Sequence, residues 1–279
     1  MDRRTFPGAQ REPELAYARR VQPLSRLVAL VGMFLLAVLA GCGTAHVQRR
    51  FGDLTVHTFT RDSSHSYVLA QAGSLVMIDS GYERNAAALD AALRAEGLDP
   101  THLRAVVLTH GHADHAGGAR YFQQRYGARV VAGSGDRGML ASGRNEPLCP
   151  TGFLARTRRA SDPAAIYTPT PVDIAVDDAL ALGPLTGVDA AVTAMPGHTR
   201  GSLVVTAGAA AFVGDLFRGA VVGDGAVVHL YMCDLAANRA DVQHLLNDLA
   251  PRATTFFPGH FGPVDRAEVV ETFGAPGTR

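Results

Sequence analysis

Ala105-Val106-Val107-Leu108-Thr109-His110-Gly111-His112-Ala113-Asp114-His115 decides how the rest of the chain is read. Its first four residues are a continuous apolar run, which suits a strand buried on both faces. The chain then turns polar at once, and four metal-competent side chains, His110, His112, Asp114 and His115, fall within six residues. His110 and His112 are two apart, so in an extended loop both imidazoles point the same way. Asp114 falls where a helix would begin, and His115 turns away from the first pair. Such a set can feed two adjacent ions. Nitrogen and carboxylate donors suit Zn²⁺, Mn²⁺ or Fe, and the lack of a thiolate argues against a closed structural zinc.

Working outward, the same local setting recurs three times: an apolar strand, a glycine, then a potential ligand. His198 lies in Met195-Pro196-Gly197-His198, Asp215 in Phe212-Val213-Gly214-Asp215, and His260 in Phe257-Pro258-Gly259-His260. The glycine lets the backbone bend tightly at each, and strand-end loops are where α/β folds gather chemistry. Strand patterns are read at 54–59, 66–69, 75–78, 105–108, 129–132, 188–194, 202–207, 210–213 and 254–257. Helix patterns are read at 83–96, 114–126 and 238–249. Alternation of strands and helices in both halves predicts a layered α/β fold. Residues 133–173 lose all periodicity, are interrupted by Pro147, Pro150, Pro163, Pro169 and Pro171, and read as a long excursion over one face with room for short helices.

Composition narrows the function. The 279 residues carry no net charge and 47% are hydrophobic, enough for a sizeable core and without the basic excess that nucleic-acid binding needs. All 26 basic residues are arginine, which excludes lysine Schiff-base and P-loop lysine chemistry. Arg156, Arg158 and Arg159 offer either a solvated face or recognition of an anion. Tyr67, Tyr82, Tyr167 and Tyr231 read as core or rim packing. His46, His57, His65, His102, His229 and His244 sit in no matching motif and read as hydrogen-bonded histidines without a ligand role.

The N-terminus reads as an export signal. Residues 1–26 carry six arginines, and Leu27–Ala40 is 14 residues without a charge, too short for a typical membrane span. The run ends in Leu39-Ala40-Gly41-Cys42, which resembles a bacterial lipobox. That resemblance implies a signal peptide over 1–41, a mature chain lipidated at Cys42 and held at the membrane of the cell envelope, a tether over 42–50, and one domain over 51–279. Cys149 and Cys233 remain as a disulfide pair or two buried thiols.

Taken together, His110-x-His112-x-Asp114-His115 with His198, Asp215 and His260 resembles the metallo-β-lactamase superfamily. Ser66-Tyr67 and Asp79-Ser80-Gly81 resemble its early strand motifs, and the resemblance runs from Phe51 to Val264. It implies a four-layer αββα sandwich and two divalent metal ions, Zn²⁺ ahead of Fe or Mn. His110, His112 and His198 would hold the first ion, Asp114, His115 and His260 the second, and Asp215 would bridge them. Asp114 would also move a proton to the leaving group; Asp79 has no ligand role in that pattern and reads instead as a residue that supports a ligand from behind. An aspartate at the bridging position resembles the glyoxalase II, lactonase and phosphodiesterase branches rather than the β-lactamases proper. The expected activity is hydrolysis of a small ester, thioester, lactone or related substrate. The alternatives are a mononuclear iron enzyme like the sulfur dioxygenases, a β-lactamase-like enzyme, and a non-catalytic metal-binding protein. Only 19 residues follow His260, so no C-terminal helical domain of the glutathione-thioester type is expected.

Overall fold

Two β-sheets packed face to face and covered by helices on their outer sides make up the computed structural model, which describes residues 44–158 and 165–274. The export signal and Cys42 lie outside the described residues. The first sheet runs in chain order: β1 (Ala45–Phe51), β2 (Leu54–Arg61), β3 (Ser64–Gln71), β4 (Ser74–Ile78), β5 (Leu103–Val107), β6 (Arg129–Gly133) and β7 (Ile174–Val176). β1 to β4 pair antiparallel and β4 to β7 parallel. The second sheet contains β8 (Ala179–Ala181), β9 (Ala191–Ala194), β10 (Leu203–Ala207), β11 (Ala210–Gly214), β14 (Thr255–Pro258) and β15 (Val264–Asp265), in the order β15-β14-β11-β10-β9-β8. Between them in sequence, β12 (Arg218–Gly219) and β13 (Ala226–Val227) form a separate hairpin.

The period of two along each strand builds the layers. Val76 and Ile78 of β4, Val107 of β5, Leu203 and Val205 of β10, Phe212 and Phe257 enter one buried cluster between the sheets. Their neighbours face the other way: Leu75, Met77 and Val106 pack on Leu89, Leu93 and Phe122, and Val204, Ala211 and Phe256 pack on Val242, Leu245 and Val269. The result is the expected αββα sandwich. Phe212 and Phe257 stack at 4.8 Å between ring centroids in its middle, each contributing about 2–3 kcal/mol by burial.

Two sequence readings are corrected, and two stretches left open in the sequence gain their elements. Residues 45–50, read as part of the tether 42–50, form strand β1, paired to β2 from Ala45↔Thr60 to Phe51↔Leu54. Its side chains are largely exposed, so it leaves no apolar alternation to read; backbone pairing alone makes it a strand. The helix read at 114–126 is two helices, Ala113–Ala116 and Ala119–Tyr126. Gly117 and Gly118 break it, and a Cβ at Gly118 would collide with the Ser80 carbonyl. The excursion 133–173 contains helices at Arg137–Ser142 and Phe153–Arg158. Beyond His260, the helix Arg266–Phe273 buries Val269 and Phe273 under the second sheet, closed by a capping box of Asp265 and Glu268.

Candidate metal centre

All seven residues singled out in the sequence meet at one edge of the sandwich, where β4, β5, β9, β11 and β14 end. Each strand end turns for a local reason. Gly214 adopts φ +51°, a left-handed conformation, to aim Asp215 inward. Gly259 is not left-handed; it is needed for room, because a Cβ there would strike His115 and Asp215. The expected tight bend at glycine is therefore found at Gly214, whereas at Gly259, as at Gly197, the glycine provides clearance.

The first group is His110, His112 and His198. The Nε2 of His198 lies 3.2 Å from Nδ1 of His112, and both His110 Nε2 and His198 Nε2 lie 3.7 Å from Oδ2 of Asp215. The second is Asp114, His115 and His260. Oδ2 of Asp114 is 3.3 Å from His260 Nε2 and 3.7 Å from His115 Nε2, and the two imidazole nitrogens are 3.4 Å apart. Asp215 reaches this group too, through Oδ1 to His115 at 3.5 Å and Oδ2 to His260 at 3.5 Å.

These spacings fit a cation. Four donors placed tetrahedrally at 2.0–2.1 Å from a zinc lie roughly 3.3 Å apart. The alternative, a hydrogen-bonded network, leaves atoms unexplained: His110 Nε2, His112 Nε2, His198 Nδ1 and Asp215 Oδ1 are buried without a hydrogen-bond partner. Unpaired polar atoms in a buried site are costly, and a bound ion removes that cost for the imidazole and carboxylate atoms that turn towards it. The groups His110–His112–His198 and Asp114–His115–His260 each bring three donor atoms within 4.8 Å of one another.

Charge separates the two groups. Burial, reinforced by neighbouring imidazoles, holds His110 and His198 well below the usual histidine range and, against the pull of Asp114 and Asp215, holds His112 at about 4. All three are neutral at physiological pH, with lone pairs free. Burial pushes His115 and His260 down too, but Asp215 and Asp114 outweigh it, raising His115 to about 9 and His260 well above its usual value. The same pairing keeps both carboxyls below the ordinary carboxylate range despite their burial.

Behind these groups lies a supporting layer. Asp79 accepts hydrogen bonds from the Thr109 backbone at 2.8 Å and hydroxyl at 2.7 Å, and its Oδ2 lies 2.8 Å from His115 Nδ1. It does so at φ +56°, a conformation that Asp tolerates better than most residues. Asp136, which no motif picked out, accepts from Gly111 N, Gly201 N and Thr199 Oγ1 at 2.7–2.8 Å. It thereby joins the His110–His112 loop to the loop carrying His198. Tyr167 donates to the Gly111 carbonyl at 2.7 Å, and Tyr67 is core, between Phe212 and Phe257; Tyr82 and Tyr231 line the cleft.

His229 is the main addition. Read as a histidine without a ligand role, it places Nε2 3.0 Å from Asp215 Oδ2 and stacks on His260 at 5.5 Å. With His198 and Asp215 it forms a further donor group that could hold a metal ion. No local motif announces it. Its loop is fixed from a distance by a Cys149–Cys233 disulfide and by Thr151, whose hydroxyl donates to the His229 and Leu230 carbonyls at 2.9 Å. The other histidines outside the motifs keep structural or surface places: His46 stacks on His57, His65 meets Thr60, and His244 pairs with Asp248.

A cleft open to solvent lies over Asp114, Asp215 and His260.

Comparison with known proteins agrees with the geometry. A family model described as the metallo-β-lactamase superfamily matches residues 59–260. A hydroxyacylglutathione hydrolase of Anaeromyxobacter dehalogenans (strain 2CP-C) is 32% identical over 142 residues, 51% of this chain and 41% of that protein. A probable metallo-hydrolase of Bacillus subtilis (strain 168), YybB, is 35% identical over 68 residues, 24% of this chain and 29% of that protein. The chain thus spans less than half the length of either relative. The crystal structure of metallo-β-lactamase SMB-1 bound to 2-mercaptoethanesulfonate superposes with a TM-score of 0.58 at 20% identity, over 79% of this chain and 82% of that one. The MIM-1 enzyme from Novosphingobium pentaromativorans gives 0.57 at 20% identity, over 82% and 85%. At such identities the likeness is one of fold.

Proposed function

The chain belongs to the metallo-β-lactamase superfamily, and on that premise we propose that it is a metal-dependent hydrolase of a small ester, thioester, lactone or related substrate. His110, His112 and His198 would hold one divalent cation and Asp114, His115 and His260 a second, with Asp215 between them. The observation that carries this reading is the pair of donor triads sharing one carboxylate, with Asp215 3.5–3.7 Å from members of both. Zn²⁺ suits the donor set, Fe and Mn less closely. The hydroxyacylglutathione hydrolase among the relatives supports a thioester or ester.

Cations held by these residues would supply water activation near neutral pH and polarisation of the scissile bond. The chain's own groups do the rest. Asp79 fixes the ring plane of His115 through Nδ1, leaving Nε2 turned to the centre. The Ser63 carbonyl does the same for His260, accepting from Nδ1 at 2.8 Å. Asp114 is the exposed member, at the cleft edge with its side chain 21% accessible against 3% for Asp215. Its Oδ2 can accept a proton at the attacking side and return it to a leaving group.

We also place the protein outside the cytoplasm, anchored at Cys42; the Cys149–Cys233 bond supports an oxidising compartment. Replacing Cys42 with Ala should abolish incorporation of labelled palmitate.

Metal quantification on purified protein, followed by thioesters, lactones, phosphodiesters and β-lactams, tests the main reading. Two equivalents of divalent metal and turnover of one class are expected. Folded protein that binds no metal, or one iron with oxygen consumption, would overturn it.

A further inference from the structure

Among the described residues, seven large apolar side chains stand exposed, and six of them belong to the segments that wall the cleft. Val228 precedes His229 and Ile166 follows Ala165, both of which line it; Leu235 comes four residues after Tyr231, another lining residue. Val221 and Val222 lie in the loop of the β12–β13 hairpin, held at the site by Gly219, whose backbone donates to the carbonyls of His260 and Phe261 at 3.0 Å. Phe153 is brought there by Thr151, which donates to the His229 and Leu230 carbonyls. Exposure reaches 82% at Phe153 and 89% at Val222. None of the six lines the cleft itself, so a substrate inside it leaves them in water. The outer helices Ala86–Ala95, Ala119–Tyr126 and Arg266–Phe273 expose no such side chain. Single exposed apolar residues are ordinary, but a group around one opening marks a surface that something covers.

The point where the chain enters the fold says what covers them. Thr44 leads into β1, whose Ala45 pairs with Thr60. Arg61 Nη1 donates to Thr44 Oγ1 at 3.4 Å, and the next two residues, Asp62 and Ser63, line the cleft. The seventh exposed side chain, Val47, is three residues further along β1. The chain therefore enters at the cleft end of the first sheet. Cys42 precedes Thr44 by two residues, and two residues span at most about 7 Å. A lipid attached at Cys42 holds the cleft end of the domain next to the bilayer, not the far end where β5 begins. We propose that the rim of Phe153, Ile166, Val221, Val222, Val228 and Leu235 docks on a lipid bilayer, entering the boundary between headgroups and acyl chains, so that the cleft opens at the membrane surface. This rests on the anchor reading of Cys42 for the orientation, but not for the affinity of the rim for lipid.

The chain contains no tryptophan, so a single one introduced at an exposed site reports its own surroundings. The test uses the full lipidated protein in phosphatidylcholine vesicles, with and without bromine on the acyl chains. Phe153→Trp and Val222→Trp probe the rim; His102→Trp, exposed just before β5 at the end away from His110, is the control. The rim tryptophans should shift to the blue and lose roughly half of their emission to the bromines, since interfacial apolar groups reach about 5–10 Å into the boundary. The His102→Trp emission should not change. Adding Val221→Asp and Val222→Asp to Phe153→Trp should remove most of that quenching with the melting temperature unchanged. Equal quenching at all three positions, or none at the rim of vesicle-bound protein, would overturn the proposal. So would a rim signal that needs a second protein rather than lipid. If the chain takes up no labelled palmitate, the anchor reading fails, and soluble protein mixed with the same vesicles decides: quenching confined to the rim upholds the docking face, and its absence overturns it.

Discussion

The two donor triads are built from similar side chains at adjacent strand ends, yet they differ in charge before any cation arrives. His110, His112 and His198 are three neutral imidazoles, kept so by burial. His115 and His260 are imidazoliums paired to Asp114 and Asp215. The first triad is poised to bind; the second satisfies itself with internal ion pairs that a metal must displace. Asp215 belongs to both, so the comparison breaks most completely there. Asp215→Ala should remove the shared carboxylate and lower kcat/KM by about three orders of magnitude, with loss of at least one metal equivalent. Retention of both equivalents and more than a tenth of the activity would show that the triads do not depend on it.

Single changes within each half should separate binding from chemistry. His110→Ala removes a neutral donor from the preorganised triad, and metal analysis should find less than one equivalent bound tightly. Asp114→Asn keeps an oxygen donor of the same shape but loses the proton-carrying carboxylate. That variant should keep most of its metal while turnover falls at least 100-fold. Full turnover in Asp114→Asn would take Asp114 out of the chemistry.

Acidity distinguishes the triads a third way. A cation entering the second triad must expel the proton of His115, which titrates at about 9. Below that pH each unit of acidification should weaken the second cation about tenfold per proton displaced. The first triad has no proton to lose between pH 6 and 8, since burial holds His112 at about 4 and keeps His110 and His198 well below the usual histidine range. Its affinity should be flat there. Calorimetric titration in buffers of different ionisation heat counts the protons released at each step, and equal counts would erase the distinction.

What was legible in the sequence follows from the same geometry. Each of the seven expected residues sits directly after an apolar run and a glycine, or within one six-residue stretch, so local pattern carries them. The layered α/β fold was legible because strands buried on both faces are continuous apolar runs; the sandwich itself came only with the family resemblance. His229 and Asp136 were not, because their roles are created by contacts 14 residues or more away in sequence: His229 with Asp215, Asp136 with Gly111, Thr199 and Gly201. Likewise β1, β7 and β8 are short or exposed, and pairing rather than side-chain pattern defines them.

His229 offers the finest contrast, between groups held by the sheets and one held by a covalent brace. The ligand-bearing ends of β5, β11 and β14 are fixed by ladder hydrogen bonds and by packing between the sheets. The loop with His229 is instead tied to the excursion by Cys149–Cys233, closing 84 residues of sequence separation, and by the bridge between Pro150 and Tyr231. Breaking the bond in Cys149→Ser/Cys233→Ser should cost about 4 kcal/mol of stability, since an unfolded loop of that length regains its freedom; the melting temperature should drop by roughly 10 °C. Metal content should hardly change, because neither triad is on the braced loop, while KM should rise two- to fivefold as Tyr231 and Leu148 loosen along the cleft wall. If the double variant instead lost metal as His110→Ala does, the braced loop would be part of the metal-holding framework, and His229 would have to be counted as a ligand rather than as a partner of Asp215.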